Sequence, residues 1–448
     1  MAIKLIHHGA HNGVTGSCHQ LWTDESHSLL VDCGTFQGDD ARRCPNPEIR
    51  FSLRSLEALL LTHVHIDHVG RIPYLLAAGW EGPVFCSQPT AKLLPLVMED
   101  ALRIGFTRNR RMIESFLKKI GKQLQPVHYH RWVDLPAGGR CRFRPAGHVL
   151  GSAIIEVETK QGEMVVFSGD LGPGGEPLLN DFTSPPRADL LVLESTYGDK
   201  LHDSREHRLD QLEGVLRHTL ADRGVTIIPA FSLGRTQSLL FELNQIFEHI
   251  QETEHRTLMK QVDVIVDSPL ATRFTDLYES LQDFWGEEAQ QALRIDEQPL
   301  VFENLTTVRN HAEHTDLLGY LDKHELPAIV IAGSGMCTGG RVVNYLKRFV
   351  GQPETDLVFV GYQASGTPGS YLQRGSDWVS LDGRRFDVQA KSHTLSGYSA
   401  HADQAGLIRF VEGFEQRPQQ IRLVHGEYQP KNTLAAELTK RGYDVDAG

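Results

Sequence analysis

The apolar positions of this chain fall into short runs, and the spacing within the runs changes along the sequence. Near the start, residues 3–7, 28–32 and 56–61 (LEALLL) read as strands. LLPLVMEDALRIGF (93–106) reads as a helix, and a further helix is expected just after His68. Strand-like segments recur at 153–158, 163–168 and 189–194. RLDQLEGVLRHTLADRG (208–224) then reads as a helix with Gly224 as its C-terminal stop signal. VTIIPAF (225–231) and TQSLLFELNQIFEHI (236–250) form a strand–helix pair, and VDVIVDSP, PAIVIAGSG and TDLVFVGYQ are further apolar strands. Strands alternating with helices in this stretch predict a parallel sheet. After about residue 384 the pattern returns to short strands, FDVQAKSHTL and IRLVHGE, with a helix between them. No internal repeat and no low-complexity segment interrupts this order. The pattern predicts an α/β protein whose first domain is completed by the end of the chain.

Chemistry concentrates at the ends of the predicted strands. HVHIDH (63–68) follows the 56–61 strand and packs His63, His65, Asp67 and His68 into six residues. Two histidines two apart in extended backbone point the same way, and the turn into a helix swings Asp67 and His68 toward the same space. Imidazole and carboxylate donors suit zinc, and also manganese or iron. A lone histidine is more often a satisfied side chain, but further donors stand in matching places. His148 lies in RPAGHVLGSA, Asp170 in VVFSGDLG and His425 in IRLVHGE, each just after an apolar extended run. Asp32, ending SLLVD, is placed to support the donors from behind. Two ions sharing the run explain it better than one, and a close metal pair is a device for hydrolysis.

This ordered set resembles the metallo-β-lactamase superfamily, and more narrowly its β-CASP nucleases. ESTYGD (194–199) resembles motif A of that group with Glu194 as its acid, SAHAD (399–403) motif B with His401, and LVHGE (423–427) motif C with His425. About 200 residues separate motifs A and B, matching the group's inserted domain. Inside lie PAFSLGRTQ (229–237), DSPLA (267–271), GSGMCTGGR (333–341) and GYQASGTPGSYL (361–372). The resemblance implies an αββα sandwich with an inserted α/β β-CASP domain: residues 1–200 and 385–448 for the first, 201–384 for the second, with the active site in the cleft between. It also implies a minimal two-domain member of the family. One ion is expected on His63, His65 and His148, the other on Asp67, His68 and His425, with Asp170 bridging. Asp67 would also orient the attacking hydroxide. His401 is the implied general acid, with Glu194 fixing its tautomer. Two Zn²⁺ are the expected cofactors, with Mn²⁺ as an alternative. Water attack in this sense leaves a 5′-phosphate and a 3′-hydroxyl. His in motif C marks members that act on RNA, so single-stranded RNA is the expected partner. The family commonly carries Arg where this chain has Ser370.

Composition changes the picture in one respect. The net charge is −12, unexpected for a nucleic-acid binder. Residues 201–384 hold 16 Lys and Arg against 27 Asp and Glu, a balance of −11, so the rest is near neutral at −1. A broad basic face for duplex backbone is not expected; a narrow cleft holding a single strand is compatible. The one basic concentration, RIGFTRNRRMIESFLKKIGK (103–122), is either a solvated helix face or a rim that guides the strand. The six cysteines form no CxxC pair and suit a reducing compartment. With no signal-peptide pattern and no apolar run of about 18 residues, the expectation is a cytoplasmic protein without membrane contact, with a homodimer left open.

The insert offers candidate substrate contacts. Arg235 and Arg341 either pair with phosphate or tie the insert together. The glycine-rich stretches 333–340 (with Ser334 and Gly335) and 366–369 either offer backbone N–H groups to phosphate or are ordinary tight turns. Ser399 of motif B completes this set. Three functions are weighed: an RNA phosphodiesterase; a metallo-β-lactamase-type hydrolase of a small ester, thioester or DNA substrate; and a non-catalytic RNA-processing scaffold. No donor is missing, which disfavours the scaffold. No GxSxG elbow or GxxxxGK[ST] loop offers a competing chemistry.

Overall fold

A computed structural model describes residues 3–136, 138–249, 261–324 and 327–448. The chain divides into two compact units, Met1–Leu201 with His401–Gly448, and His202–Ala400.

The first unit is an αββα sandwich. One sheet has six strands in chain order: Lys4–Gly9, Cys18–Trp22, Ser28–Val31, Leu56–Leu60, Val84–Ser87 and Leu124–Val127. The other has seven, in the spatial order Val445–Asp446, Gln420–Val424, Leu190–Glu194, Met164–Phe167, Ala153–Glu158, Arg140–Pro145 and Trp132–Asp134. Period-two alternation decides which side chain faces which layer. Leu29, Val31, Ala58 and Leu60 meet Ile155, Val165 and Val192 between the sheets. The alternate residues Ile154, Val166, Leu191 and Leu193 face outward onto Leu407, Phe410 and Val411 of the helix Gln404–Glu412 and Leu434 and Leu438 of Tyr428–Lys440. The C-terminal part of this unit, His401–Gly448, thus supplies two helices and two strands to a domain begun at the other end of the chain.

The second unit has a six-stranded, all-parallel sheet in the order Leu305–Thr307, Asp263–Asp267, Ala328–Ala332, Val225–Pro229, Asp356–Phe359 and Lys391–Thr394. The segment 385–400, grouped with the first domain on the sequence pattern, lies in this unit, because Lys391–Thr394 is its edge strand. The helix expected over 236–250 is described as Arg235–His249, and residue 250 lies outside the described residues.

Two local expectations are corrected. The first helix of this unit, Arg205–Asp222, ends on Arg223, which takes the left-handed conformation (φ +56°) itself. Gly224 is needed for another reason: a Cβ there would stand 1.9 Å from the Glu354 carbonyl oxygen. The basic stretch is two helices, Gln88–Gly105 and Arg110–Gln123, broken where Asn109 caps the second through the N–H groups of Arg111 and Met112. Ile104, Phe106 and Met112 are exposed at this junction. Among the described residues, no helix is long and apolar enough to cross a membrane.

Candidate metal centre

All seven expected metal donors converge at one end of the sandwich. His63 and His65 follow the strand Leu56–Leu60, and Asp67 and His68 lie in the single-turn helix Ile66–Val69, which His65 precedes in extended conformation. The loop is pinned from the neighbouring strand ends. Ser17 N–H donates to the Asp67 carbonyl at 2.8 Å and Cys33 N–H to that of His68 at 2.7 Å. Gly34 is obligatory, since a Cβ would fall 1.5 Å from the Asp67 carbonyl oxygen. His425 follows Gln420–Val424 with φ +52°, and Asp32 follows Ser28–Val31 with φ +60°. At both strand ends a left-handed residue turns its side chain toward the cluster.

The donor atoms form two groups that meet at Asp170. Asp170 Oδ2 lies 3.5 Å from His63 Nε2 and 3.5 Å from His148 Nε2, which is 3.0 Å from His65 Nδ1. Asp170 Oδ1 lies 3.3 Å from His68 Nε2 and 3.5 Å from His425 Nε2, which is 3.5 Å from Asp67 Oδ2. Separations of this size suit ligand atoms that each stand about 2.0–2.2 Å from a shared ion. His63 Nε2 and Asp170 Oδ1 are buried with no hydrogen-bond partner, which is abnormal for buried polar atoms and expected of metal ligands. Burial and the neighbouring His68 keep the His63 imidazole far below its ordinary pKa, and burial lowers His65 to about 4, so both are neutral donors. Burial opposes the Asp170 carboxylate, but His425 and His68 hold its pKa well below the usual range.

The residues behind the ligands fix their tautomers. Asp32 accepts from the Thr62 backbone N–H (2.8 Å) and hydroxyl (2.7 Å) and lies 2.8 Å from His68 Nδ1. His68 would therefore donate from Nδ1 and, with an ion bound, offer its Nε2 lone pair to it. Thr62 Oγ1 lies 3.1 Å from His63 Nδ1, and Thr196 Oγ1 lies 3.1 Å from His425 Nδ1, doing the same for those rings. Asp32, a candidate from the sequence, contacts Thr62 and His68. Thr62 and Thr196 are additions from the structure: a threonine at a strand end carries no signal of its own.

Glu194 and His401 are paired beside the donors. His401 Nδ1 lies 3.2 Å from both Glu194 oxygens. Glu194 is buried and also accepts from the Leu171 N–H (2.7 Å) and the Thr196 hydroxyl (2.6 Å). His401 is brought there by a parallel bridge between Tyr197 and Asp403 and by the Ala402 N–H donating to the Leu171 carbonyl at 2.7 Å. Burial opposes protonation of His401, but the Glu194 carboxylate outweighs it and raises the imidazole to about 9.

The insert candidates lie in the second unit and are mostly engaged there. Arg341 pairs with buried Asp267 and donates to the Val308 carbonyl at 3.2 Å, so it ties the insert together. Asp267 also accepts from the Tyr345 hydroxyl at 2.5 Å. Arg235 is buried at the start of its helix, and Ser399 is buried. The N–H of Ser334 donates to the Gly339 carbonyl, that of Gly369 to Met336, and that of Ser370 to the Thr367 hydroxyl. These N–H groups are thus used within the insert, and the Gly369 bond links the two stretches to each other. Gly335 abuts Phe231, whose ring atoms would be 2.9 Å from a Cβ.

Family models match in three blocks: the Metallo-beta-lactamase superfamily over residues 12–229, the Beta-Casp domain over 236–372, and the Zn-dependent metallo-hydrolase RNA specificity domain over 385–447. The chain is 35% identical over 448 residues to Ribonuclease TTHA0252 of Thermus thermophilus, covering 99% of this chain and 97% of that protein. It is 30% identical to Transcription termination factor FttA of Methanosarcina mazei, covering 98% of this chain and 69% of that protein. Among solved structures, a protein of unknown function from Enterococcus faecalis V583 shares the fold with a TM-score of 0.55 at 12% identity, over 99% of this chain and 97% of that one. The chain belongs to the metallo-β-lactamase superfamily, in its β-CASP branch. Its histidine and aspartate cluster is a divalent-metal site of the metallo-hydrolase kind.

Proposed function

We propose that this protein is a ribonuclease that hydrolyses single-stranded RNA with two zinc ions, leaving 5′-phosphate and 3′-hydroxyl ends. The observation that carries the reading is the division of Asp170 between two histidine groups, with the Glu194–His401 pair alongside. The ribonuclease name of a 35% identical relative and the RNA specificity model over 385–447 favour RNA over other phosphodiesters. His63, His65 and His148 would hold one ion, Asp67, His68 and His425 the other, with Asp170 between. The nitrogen and oxygen donors also accept Mn²⁺. When bound, the ions supply an activated water at neutral pH and neutralise charge on the phosphate.

The chain's own groups do the rest. Asp67, partly exposed, orients the attacking water through its carboxylate. Glu194 takes the Nδ1–H of His401, so the proton on Nε2 is the one available to the leaving 3′ oxygen. The pair is held by Leu171 and Thr196, so the acid is oriented before substrate arrives.

Attack by water does not use the 2′-hydroxyl as nucleophile, so discrimination against DNA must come from sugar contacts or strand geometry. End-labelled single-stranded RNA is expected to be cut much faster than DNA of the same sequence. One 2′-deoxy substitution at the scissile nucleotide should slow cleavage without abolishing it. Equal rates on RNA and DNA would defeat the RNA assignment, and complete loss on the single 2′-deoxy change would point to 2′-hydroxyl attack instead.

The basic tip between the two helices gives a further test. Arg110 is engaged only by a surface pair with Glu114 at 2.7 Å among the interactions described for it, a class of contact of small energy. If the tip guides RNA, the triple replacement of Arg108, Arg110 and Arg111 by Ala raises KM. Each lost phosphate contact also lowers the salt slope by roughly 0.7. Unchanged KM and slope would mark the tip as a solvated face.

A further inference from the structure

A second group of metal-type donors lies in the insert, apart from the seven already assigned. His218 and Asp222 stand one turn apart at the end of the helix Arg205–Asp222, and Asp356 begins the strand Asp356–Phe359. One ligand atom from each of the three lies within 4.8 Å of the others. His218 Nδ1 is 2.6 Å from Asp356 Oδ2 and 3.5 Å from Asp222 Oδ2. His393, on the edge strand, lies 2.7 Å from Asp356 Oδ1 through its Nε2.

Hydrogen bonding alone leaves this cluster incomplete. Two carboxylates converge on one imidazole nitrogen, which can give its single proton to only one of them. Asp356, the closer, takes it. Asp222 Oδ1 accepts from the Gly224 N–H at 3.0 Å, but its Oδ2 is buried and has no hydrogen-bond partner. An Asp222 oxygen without a hydrogen-bond donor, 3.5 Å from the same imidazole nitrogen that meets the buried Asp356 carboxylate, leaves three donor atoms facing one position that a cation can share.

The geometry points to a structural transition-metal site on His218, Asp222 and Asp356, of the zinc class, with His393 orienting the Asp356 carboxylate from behind. One nitrogen and two oxygens match zinc, with water completing the coordination; calcium and magnesium prefer all-oxygen sets. The carboxylate–imidazole pair behind a ligand is the usual way such a ligand is held. His218 is 44% exposed, which leaves an open path for the ion. The bound ion clips the first helix of the insert onto the start of a strand whose neighbour is the last strand of the insert, tying its two ends together.

The test compares the full-length protein with a double variant carrying His218→Asn and Asp222→Asn. The Asp222→Asn change keeps a side-chain oxygen to accept from the Gly224 N–H, and both positions are at the surface end of the helix, so folding is preserved. Each protein is stripped with chelator, dialysed against Zn²⁺ and analysed for metal per chain, and its Tm is measured with and without Zn²⁺. The variant is expected to hold one ion fewer per chain and to gain less Tm from Zn²⁺, with RNA cleavage unchanged. The result is read as a difference, so it is independent of how many ions the main centre binds. Equal metal content and equal Zn²⁺-dependent gain in Tm would overturn the site.

Discussion

Replacing His401 by Ala is expected to lower kcat by roughly 10²–10⁴-fold, the range for loss of a general acid, while metal content stays at the wild-type level. His401 is not among the seven donors; its Nδ1 is engaged by Glu194, 3.2 Å away. Its loss therefore removes a proton donor and spares the ligand set. The pH profile carries the same argument. His401 acts in its protonated form, and its raised pKa of about 9 keeps that form present through neutral pH and loses it as pH rises through that value. Glu194→Gln removes the charge that opposes desolvation, so the alkaline limb of kcat should move to lower pH. Near-normal turnover in His401→Ala would exclude it from the chemistry. Loss of metal in that variant would place it in the ligand set, and an unmoved limb in Glu194→Gln would separate the pair.

The second large effect is expected at Asp170. Asn in its place keeps the shape but removes the charge that both histidine groups share. The 3.3 Å and 3.5 Å approaches of its two oxygens to His68 and His63 are the only carboxylate link between the groups among the described residues. Metal-assisted hydrolysis draws several kcal/mol of transition-state stabilisation from the ions, so activity should fall by about 10³-fold or more. Metal content should fall from near two ions per chain at the centre toward one or none. Elemental analysis with an activity assay decides it. Full activity with at most one ion per chain in the wild-type centre would defeat the two-ion reading.

The site was legible in the sequence to the extent that it interrupts apolar runs. His63 and Asp170 follow the strands LEALL and MVVF, which are mostly apolar and buried, so a polar residue at the end stands out, whereas His425 follows QIRLV, where apolar and polar residues alternate before the last two. Glu194 and His401 are ordinary strand-end and turn residues by pattern and became legible only through their motifs. Thr62 and Thr196 were not legible, because their importance lies in a hydroxyl that meets imidazoles 1 and 229 residues away. The insert candidates show the opposite limit. A glycine-rich loop and an arginine look like a phosphate cradle, but Arg341 pairs with Asp267 and the Gly369 N–H goes to Met336, partners distant in sequence, while the Ser334 N–H is used within its own loop by Gly339. Several strands of the sandwich were also missed. Arg140–Pro145 alternates arginine with apolar residues, and Arg142 and Arg144 are held by Glu156 on the next strand, at 2.7 and 2.6 Å. That partnership is a property of the sheet and leaves no local mark.

The most direct measurement is the termini produced from a single-stranded RNA by protein stripped of metal and then reloaded with Zn²⁺. Stripped protein should be inactive, reloading should restore cleavage, and every new end should be a 5′-phosphate or a 3′-hydroxyl. Cleavage that persists after complete stripping, or products ending in a 2′,3′-cyclic phosphate, would contradict metal-dependent hydrolysis by water.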